Sequence, residues 1–323
     1  MTAAALQRWI EELAGTAARE VAGSLRSTWL AHQQVPTHLT WCHGNRHWSL
    51  DLTQPRLMGI VNVTPDSFSD GGCYFSAAAA IDHGMALAQQ GADLLDVGGE
   101  STRPGSHPVT LEEELRRVIP VVRELAAALT VPVCVDTSKS AVMVAALEVG
   151  AAMINDVTAL SGDPDSAALL AQCEVPVILM HKQGTPVTMQ HNPQYHHVSA
   201  EVYDFFVRRL QFCDQHGILR RRLMVDPGIG FGKNLGHNLA LLQQLALFRG
   251  LGVPVALGVS RKRLIGALTG EEKACSRDGA SHVLGAFGLL AGVSVLRVHD
   301  VLGAHQARAV AGGMMHRGVW VES

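Results

Sequence analysis

The chain of 323 residues carries 26 Lys and Arg against 29 Asp and Glu, a formal net charge of −3, which excludes a nucleic-acid surface built on bulk positive charge and leaves any anion to a local cluster. Hydrophobic residues make up 47% and aromatics only 5%, with 32 glycines, which favours an α/β protein of Ala-, Val- and Leu-rich layers joined by tight turns. Six scattered cysteines, Cys42, Cys73, Cys134, Cys173, Cys213 and Cys275, form no CxxC pair, so reduced thiols and a cytoplasmic setting are expected.

MTAAALQRWIEELAG at the N-terminus places acidic residues where a signal peptide is apolar, and no later apolar run approaches the roughly 20 residues of a membrane helix. No membrane partner is expected. Trp9, Leu13 and Ala17 mark an amphipathic helix, and polar HGNRHWSLDLTQP (43–55) leads into the first strand. Residues 1–48 read as an N-terminal extension, an appended helix or a cap over the bottom of a main domain spanning 49–323. Cys42, His43 and His47 in WCHGNRH match no standard zinc spacing and read as turn chemistry.

Short apolar runs then recur at 56–62, 92–98, 131–136, 151–156, 175–181, 222–226, 253–259 and 293–299. Between them lie segments of helical period, such as 76–91, 110–129 with Thr110 and Glu113 as a capping box, and 200–217. Gly91, Gly150, Gly217 and Gly292 sit where helices end. Eight uniformly apolar strands alternating with helices predict a (β/α)8 TIM barrel, with a doubly wound open sheet as the alternative. Nearly every strand ends in a polar residue: Asn62, Asp96, Asp136, Asn155, His181, Asp226, Ser260, and Arg297 with His299. In a barrel these ends share one mouth.

DPGIGFGK (226–233) has the look of a phosphate loop but fails as one. Gly228 and Gly232 enclose three residues where a Walker loop has four before its Gly-Lys pair, and Asn234 follows the lysine. Its glycines also alternate, unlike a dinucleotide fingerprint.

Two long glycine-rich loops, NVTPDSFSDGGCYF (62–75) and GGESTRPGSHP (98–108), follow the first two strands. With VDTSK (135–139), INDV (154–157), LMH and GTP (179–186), DPGIGFGK, SRK (260–262) and RVHD (297–300), they resemble the dihydropteroate synthase family. The resemblance implies condensation of 6-hydroxymethyl-7,8-dihydropterin pyrophosphate with p-aminobenzoate, a Mg2+ ion, and a homodimer. It implies that Asp226 accepts two parallel donors of the pterin, that Asp136 and Asn155 complete the edge, and that Lys262 and Arg297 line the ring. Asn62, Thr102, Arg297 and His299 would meet the pyrophosphate, Asn62 holding the metal. Asp70 and Arg103 would pair between the two loops, and Phe68, Pro104, Ser260 and Lys262 would receive the aminobenzoate.

Each of these residues has a plain alternative: Asp226 as a turn-former, Asn62 and Asn155 as helix caps, Arg103 as a solvated charge. Turn chemistry gives no reason for so many to face one mouth. Two other functions are weighed. A methyltetrahydrofolate-dependent corrinoid methyltransferase barrel would not need DSFSDGG, the SRK lysine or RVHD; a non-catalytic paralogue would be expected to lose them. Lys182 and Gln183, where the family usually has Met-Arg, are the departure near the site.

Overall fold

A computed structural model describes residues 7–8, 10–12, 19–64, 77–101 and 105–315. The predicted helix through Trp9, Leu13 and Ala17 rests on residues outside that set. A different helix, α1 (Arg19–Gln33), precedes an antiparallel hairpin of β1 (His38–His43) and β2 (Arg46–Asp51). The hairpin was not expected, although its sequence carries the pattern. Leu39 and Trp41 alternate on one strand and face Leu50 and Trp48 on the other, across a Gly44-Asn45 turn in which Gly44 has φ +57°.

Eight parallel strands follow: β3 (Arg56–Asn62), β4 (Leu94–Gly98), β5 (Val133–Asp136), β6 (Met153–Asp156), β7 (Val177–Met180), β8 (Leu223–Asp226), β9 (Ala256–Gly258) and β10 (Val295–Val298). Each lies within a predicted run. Neighbours run β8-β7-β6-β5-β4-β3-β10-β9, and Val225 pairs with Val255 to bring the two ends together. The sheet therefore closes as a barrel, and the open-sheet alternative falls because strand order never reverses. β5, β7 and β9 begin later than their apolar runs because Pro132, Pro176 and Pro254 cannot donate to a ladder; each still accepts, from Leu95, Ile154 and Val225 at 3.1, 3.1 and 3.0 Å.

The helices α2 (Ala77–Gln89), α3 (Leu111–Ala128), α4 (Ser140–Glu148), α5 (Ser166–Ala171), α6 (Val198–Gln215), α7 (Leu235–Gln243), α8 (Arg263–Thr269), α9 (Asp278–Leu290) and α10 (Val301–Met315) surround it. Gly91, Gly150, Gly217 and Gly292 have φ of +95°, +107°, +79° and +89°, the left-handed exit expected of helix ends. The capping box at α3 is half formed. Thr110 accepts from the Glu113 amide at 3.3 Å, but the Glu113 carboxylate turns to Arg116 and Arg117.

The hairpin covers the bottom of the barrel. His43 donates to the carbonyl of Leu147 at 2.9 Å and Arg46 to that of Leu129 at 3.4 Å, at the C-terminal ends of α4 and α3. The Arg46 guanidinium there complements the negative end of α3. Helix α1 leans on the segment Leu245–Leu251, where Arg249 donates to His32 at 3.3 Å.

Candidate active site at the barrel mouth

The polar ends of β5, β6, β8 and β10 meet inside the C-terminal mouth. Arg297 of β10 is the centre: Nε donates to the Asp96 carboxylate and Nη2 to Asp136 Oδ2 at 3.1 Å. Asn155 of β6 donates to Asp96 Oδ2 at 3.1 Å. Burial works against the Arg297 charge, but Asp96 and Asp136 outweigh it and hold the guanidinium above its usual range. Burial, with the Asp96 charge added and Arg297 opposing, pushes the Asp136 carboxyl up to about 8. This mouth stores electrostatic tension that a ligand with hydrogen-bond donors would relieve.

Asp226 closes β8 and is buried, which raises its carboxyl; Lys262 and the Gly228 amide pull the other way. The amide takes Oδ1 at 2.7 Å. Lys262 arrives from the loop after β9, donates to the Ile229 carbonyl, and lies 4.7 Å from the centre of the Phe231 ring. Burial pushes it down to about 8 against the attraction of Asp226. Gly258 shows how closely these groups converge. A Cβ there would stand 3.8 Å from Lys262 Nζ and 3.9 Å from both Asp226 Oδ2 and the Arg297 side chain. All three groups therefore come within contact distance of one point above the Gly258 backbone.

The loop 226–233 is built around its own lysine. Gly228, Gly230 and Gly232 have φ of +67°, +87° and +65°, and a Cβ at Gly228 or Gly232 would strike the backbone of His181 or Gln183. Lys233 is buried and donates to His181 Nδ1, Gly228 O and Phe231 O at 2.9, 2.9 and 3.0 Å. Burial, with Lys233 adding, pushes the His181 imidazole down to about 2, so it is neutral and free to accept. The alternating glycines therefore serve the loop's own path before any ligand's approach.

Next to β8 around the ring, His299 meets the Ser260 hydroxyl through Nδ1 at 3.0 Å and through its amide at 3.2 Å. Asn62 ends β3, half-buried, in register with Gly98. A single amide oxygen suits Mg2+, a hard ion that takes its other ligands from phosphate and water. Among the described residues no group of three or more His, Cys, Asp or Glu could hold a metal. Cys42 and His43 do not converge, the former meeting His47 at 3.1 Å and the latter a helix end. Phe68, Asp70, Thr102, Arg103 and Pro104 lie outside the described residues.

Sequence reasoning passed over two groups. Asp96 appeared only as one polar strand end, yet it is fully buried, it anchors both Arg297 and Asn155, and its Oδ1 has no hydrogen-bond partner. An acid inside the apolar run LLDVG was the available signal. The second group is Lys139, which bridges Glu100 at 2.5 Å and the buried Glu114, while Thr137 donates to Glu114 at 2.6 Å. This network borders the same cleft as Asp136 and Phe231, with Lys182 and Met189 from the loop after β7 facing it. Gly105 donates to the Pro186 carbonyl at 2.9 Å, which ties the loop after β4 to the loop after β7 across that cleft.

Residues 58–299 match the family model described as pterin binding enzyme. The dihydropteroate synthase of Escherichia coli (strain K12) is 48% identical over 255 residues, covering 78% of this chain and 89% of that protein. A structure of Xanthomonas albilineans dihydropteroate synthase with 4-aminobenzoic acid superposes with a TM-score of 0.81 at 47% identity, covering 87% of this chain and 100% of that one. A second structure of the Xanthomonas albilineans enzyme, in complex with 7,8-dihydropteroate, gives 0.78 at 45% identity, covering 86% and 100%.

Proposed function

The chain belongs to the dihydropteroate synthase family of pterin-binding transferases, and on that premise we propose how its mouth condenses 6-hydroxymethyl-7,8-dihydropterin pyrophosphate with p-aminobenzoate to give 7,8-dihydropteroate and pyrophosphate. The observation that carries the reading is the convergence of Asp226, Lys262 and Arg297 within contact distance of the Gly258 backbone. Asp226 Oδ2 and Asp136 accept donors from the pterin edge, and each new hydrogen bond offsets part of the cost of burying a carboxylate. Asn155, whose Nδ2 is already given to Asp96, keeps its Oδ1 as a further acceptor. Lys262 and Arg297 flank the ring.

The methylene C–O bond breaks with its electron pair passing to the pyrophosphate, and the aniline nitrogen closes the new C–N bond and loses a proton. Charge grows on the leaving group, so cations fixed beforehand lower the barrier more than they tighten substrate binding. Arg297 supplies fixed positive charge there, His299 and Thr102 supply hydrogen-bond donors, and Asn62 would hold a Mg2+ ion supplying further positive charge to the phosphates. Ser260 and Lys262, with Phe68 and Pro104, receive the aminobenzoate, and Asp70 with Arg103 excludes water from the reacting pair. No covalent nucleophile is required.

A homodimer is part of the same proposal. Val283, Phe287 and Leu290 on α9 and Leu302, Val310 and Met314 on α10 are exposed, an apolar face that a second copy would cover. No helix among the described residues is long and apolar enough to cross a membrane. We place the enzyme in the cytoplasm, with residues 1–48 as an extension and 49–323 as the barrel. The test is pyrophosphate release by the purified protein with dihydropterin pyrophosphate, p-aminobenzoate and Mg2+, omitting each in turn. Release that needs all three supports the reading; release without p-aminobenzoate, or none at all, removes it.

A further inference from the structure

Arg261 has φ +58°, a left-handed conformation that a residue with a Cβ adopts only when its surroundings impose it. The surroundings do so from one helix. The Arg261 amide donates to Ser281 Oγ at 2.9 Å, and that hydroxyl donates on to the Arg277 carbonyl at 2.7 Å. The Arg261 guanidinium grips Asp278 with two bonds of 2.7 and 2.8 Å. Arg277, just before α9, reaches the carbonyls of Arg261 and Lys262 at 3.2 and 3.4 Å.

The next residue of the helix serves a second loop. His282 Nε2 meets Asp300 Oδ2 at 2.9 Å, and Asp300 directly follows His299. Against burial, the Gly303 amide and His282 hold the Asp300 carboxyl below its usual range. The inner face of α9 is pressed onto the barrel at Gly285 and Gly288, where a Cβ would stand 2.8 Å from Leu296 and 2.5 Å from Leu257. Its middle turns are thus packed tightly onto β9 and β10.

We infer that Arg261, Asp278, Ser281 and His282 are positioning residues, a strut that holds Ser260 and His299 at the spacing which receives p-aminobenzoate and the departing pyrophosphate. The inference rests on the proposed function for its substrates. The left-handed turn at Arg261 sends its side chain out to α9 while Ser260 and Lys262 on either side reach into the mouth. Lys262 keeps independent ties to Ile229 and Phe231, whereas Ser260 meets His299, the residue held through Asp300. Loosening the strut should therefore fall on the aminobenzoate side.

In the full chain, Asp278→Ala should raise the KM for p-aminobenzoate at least tenfold while the dissociation constant of a phosphate-free pterin stays within threefold. The charge-swapped double variant Arg261→Asp with Asp278→Arg should recover most of that loss. Amide hydrogen exchange of the segment 256–263 should quicken in Asp278→Ala and not in the double variant, a readout that needs no turnover. His282→Ala supplies the same kinetic test should Asp278→Ala not fold. A lowered melting temperature with unchanged KM, or equal losses in aminobenzoate and pterin, would overturn the strut. Wild-type protein that makes no dihydropteroate would overturn the function, and the exchange measurement would still decide whether α9 holds the turn.

Discussion

The loop after β8 and the turn after β9 each bring a lysine to the same mouth, Lys233 buried and Lys262 half-buried, and the two are bonded in opposite ways. Lys233 spends its donors on His181 Nδ1, Gly228 O and Phe231 O, all at 2.9 to 3.0 Å. Lys262 has the Ile229 carbonyl, the face of Phe231 and the charge of Asp226. Burial holds both below the usual lysine range. The first is saturated by its own loop and by His181 after β7, and closes a structural knot. The second keeps donor capacity beside Gly258, where it converges with Asp226 and Arg297. Hydrogen-bond saturation, more than burial or charge, separates the lysine of the scaffold from the lysine of the site.

The largest expected effect tests the site side of that comparison. Asp226→Asn should weaken binding of a pterin ligand by about 2–3 kcal/mol, because an amide cannot accept two parallel donors. Calorimetric titration reads it directly. Unchanged affinity in a folded variant would take Asp226 out of the pocket and leave Lys262 without its partner there.

A smaller effect concerns pH. Asp136 is pushed from its ordinary value up to about 8 in the fold, so the folded chain holds a proton that the unfolded chain releases. The cost of ionising it is absent below the unfolded pKa, grows as pH rises through the interval up to about 8, and is complete above it. Asp136→Asn removes this cost, so its melting temperature relative to wild type should climb between about pH 4 and pH 8 and then level off. Lys262 has the reverse sign: its folded pKa, pushed down to about 8, penalises the fold below that pH and relieves it above. A melting-temperature difference for Asp136→Asn that stays flat with pH would show that the mouth carries no such tension.

The smallest expected effect lies at the other end of the barrel. Deleting residues 1–35 removes α1 and leaves the hairpin, whose His43 and Arg46 serve the ends of α4 and α3. Turnover of this truncated chain should stay within about threefold of the full chain, as steady-state kinetics would show, because the bottom of a barrel bears on stability and the mouth on chemistry. A selective loss of kcat without unfolding would break the division between the two ends.

The barrel was legible because its strands are buried on both faces, which leaves runs such as RLMGIVN uniformly apolar, and because glycines end the helices between them. The convergence of Asp136, Asn155, Asp226, Lys262 and Arg297 was legible from their places at successive strand ends. Asp96 was not, since nothing in a list of strand ends separates an acid that holds two other site residues from one that meets a ligand. Lys139 and Glu114 were hidden because their pairing joins α3 to the loop after β5 across 25 residues of chain. The hairpin was missed for another reason: histidines and an arginine interrupt its alternation, and two of them, His43 and Arg46, are spent on helix ends. Strain at Arg261 has no sequence signature, since its residue type is an ordinary one for a right-handed turn.

The comparison of the two lysines comes down to one paired measurement: turnover and melting temperature of Lys262→Met and Lys233→Met, side by side. Lys262→Met should lose at least a hundredfold in kcat/KM while melting close to wild type, since relief of its own desolvation offsets the loss of its ties to Ile229 and Asp226. Lys233→Met should melt lower, by an amount on the order of 2 kcal/mol for the buried acceptors left unmet, while its folded fraction turns over within several-fold of wild type. Two variants that lose stability and activity in parallel would contradict the assignment of one lysine to the scaffold and the other to the chemistry.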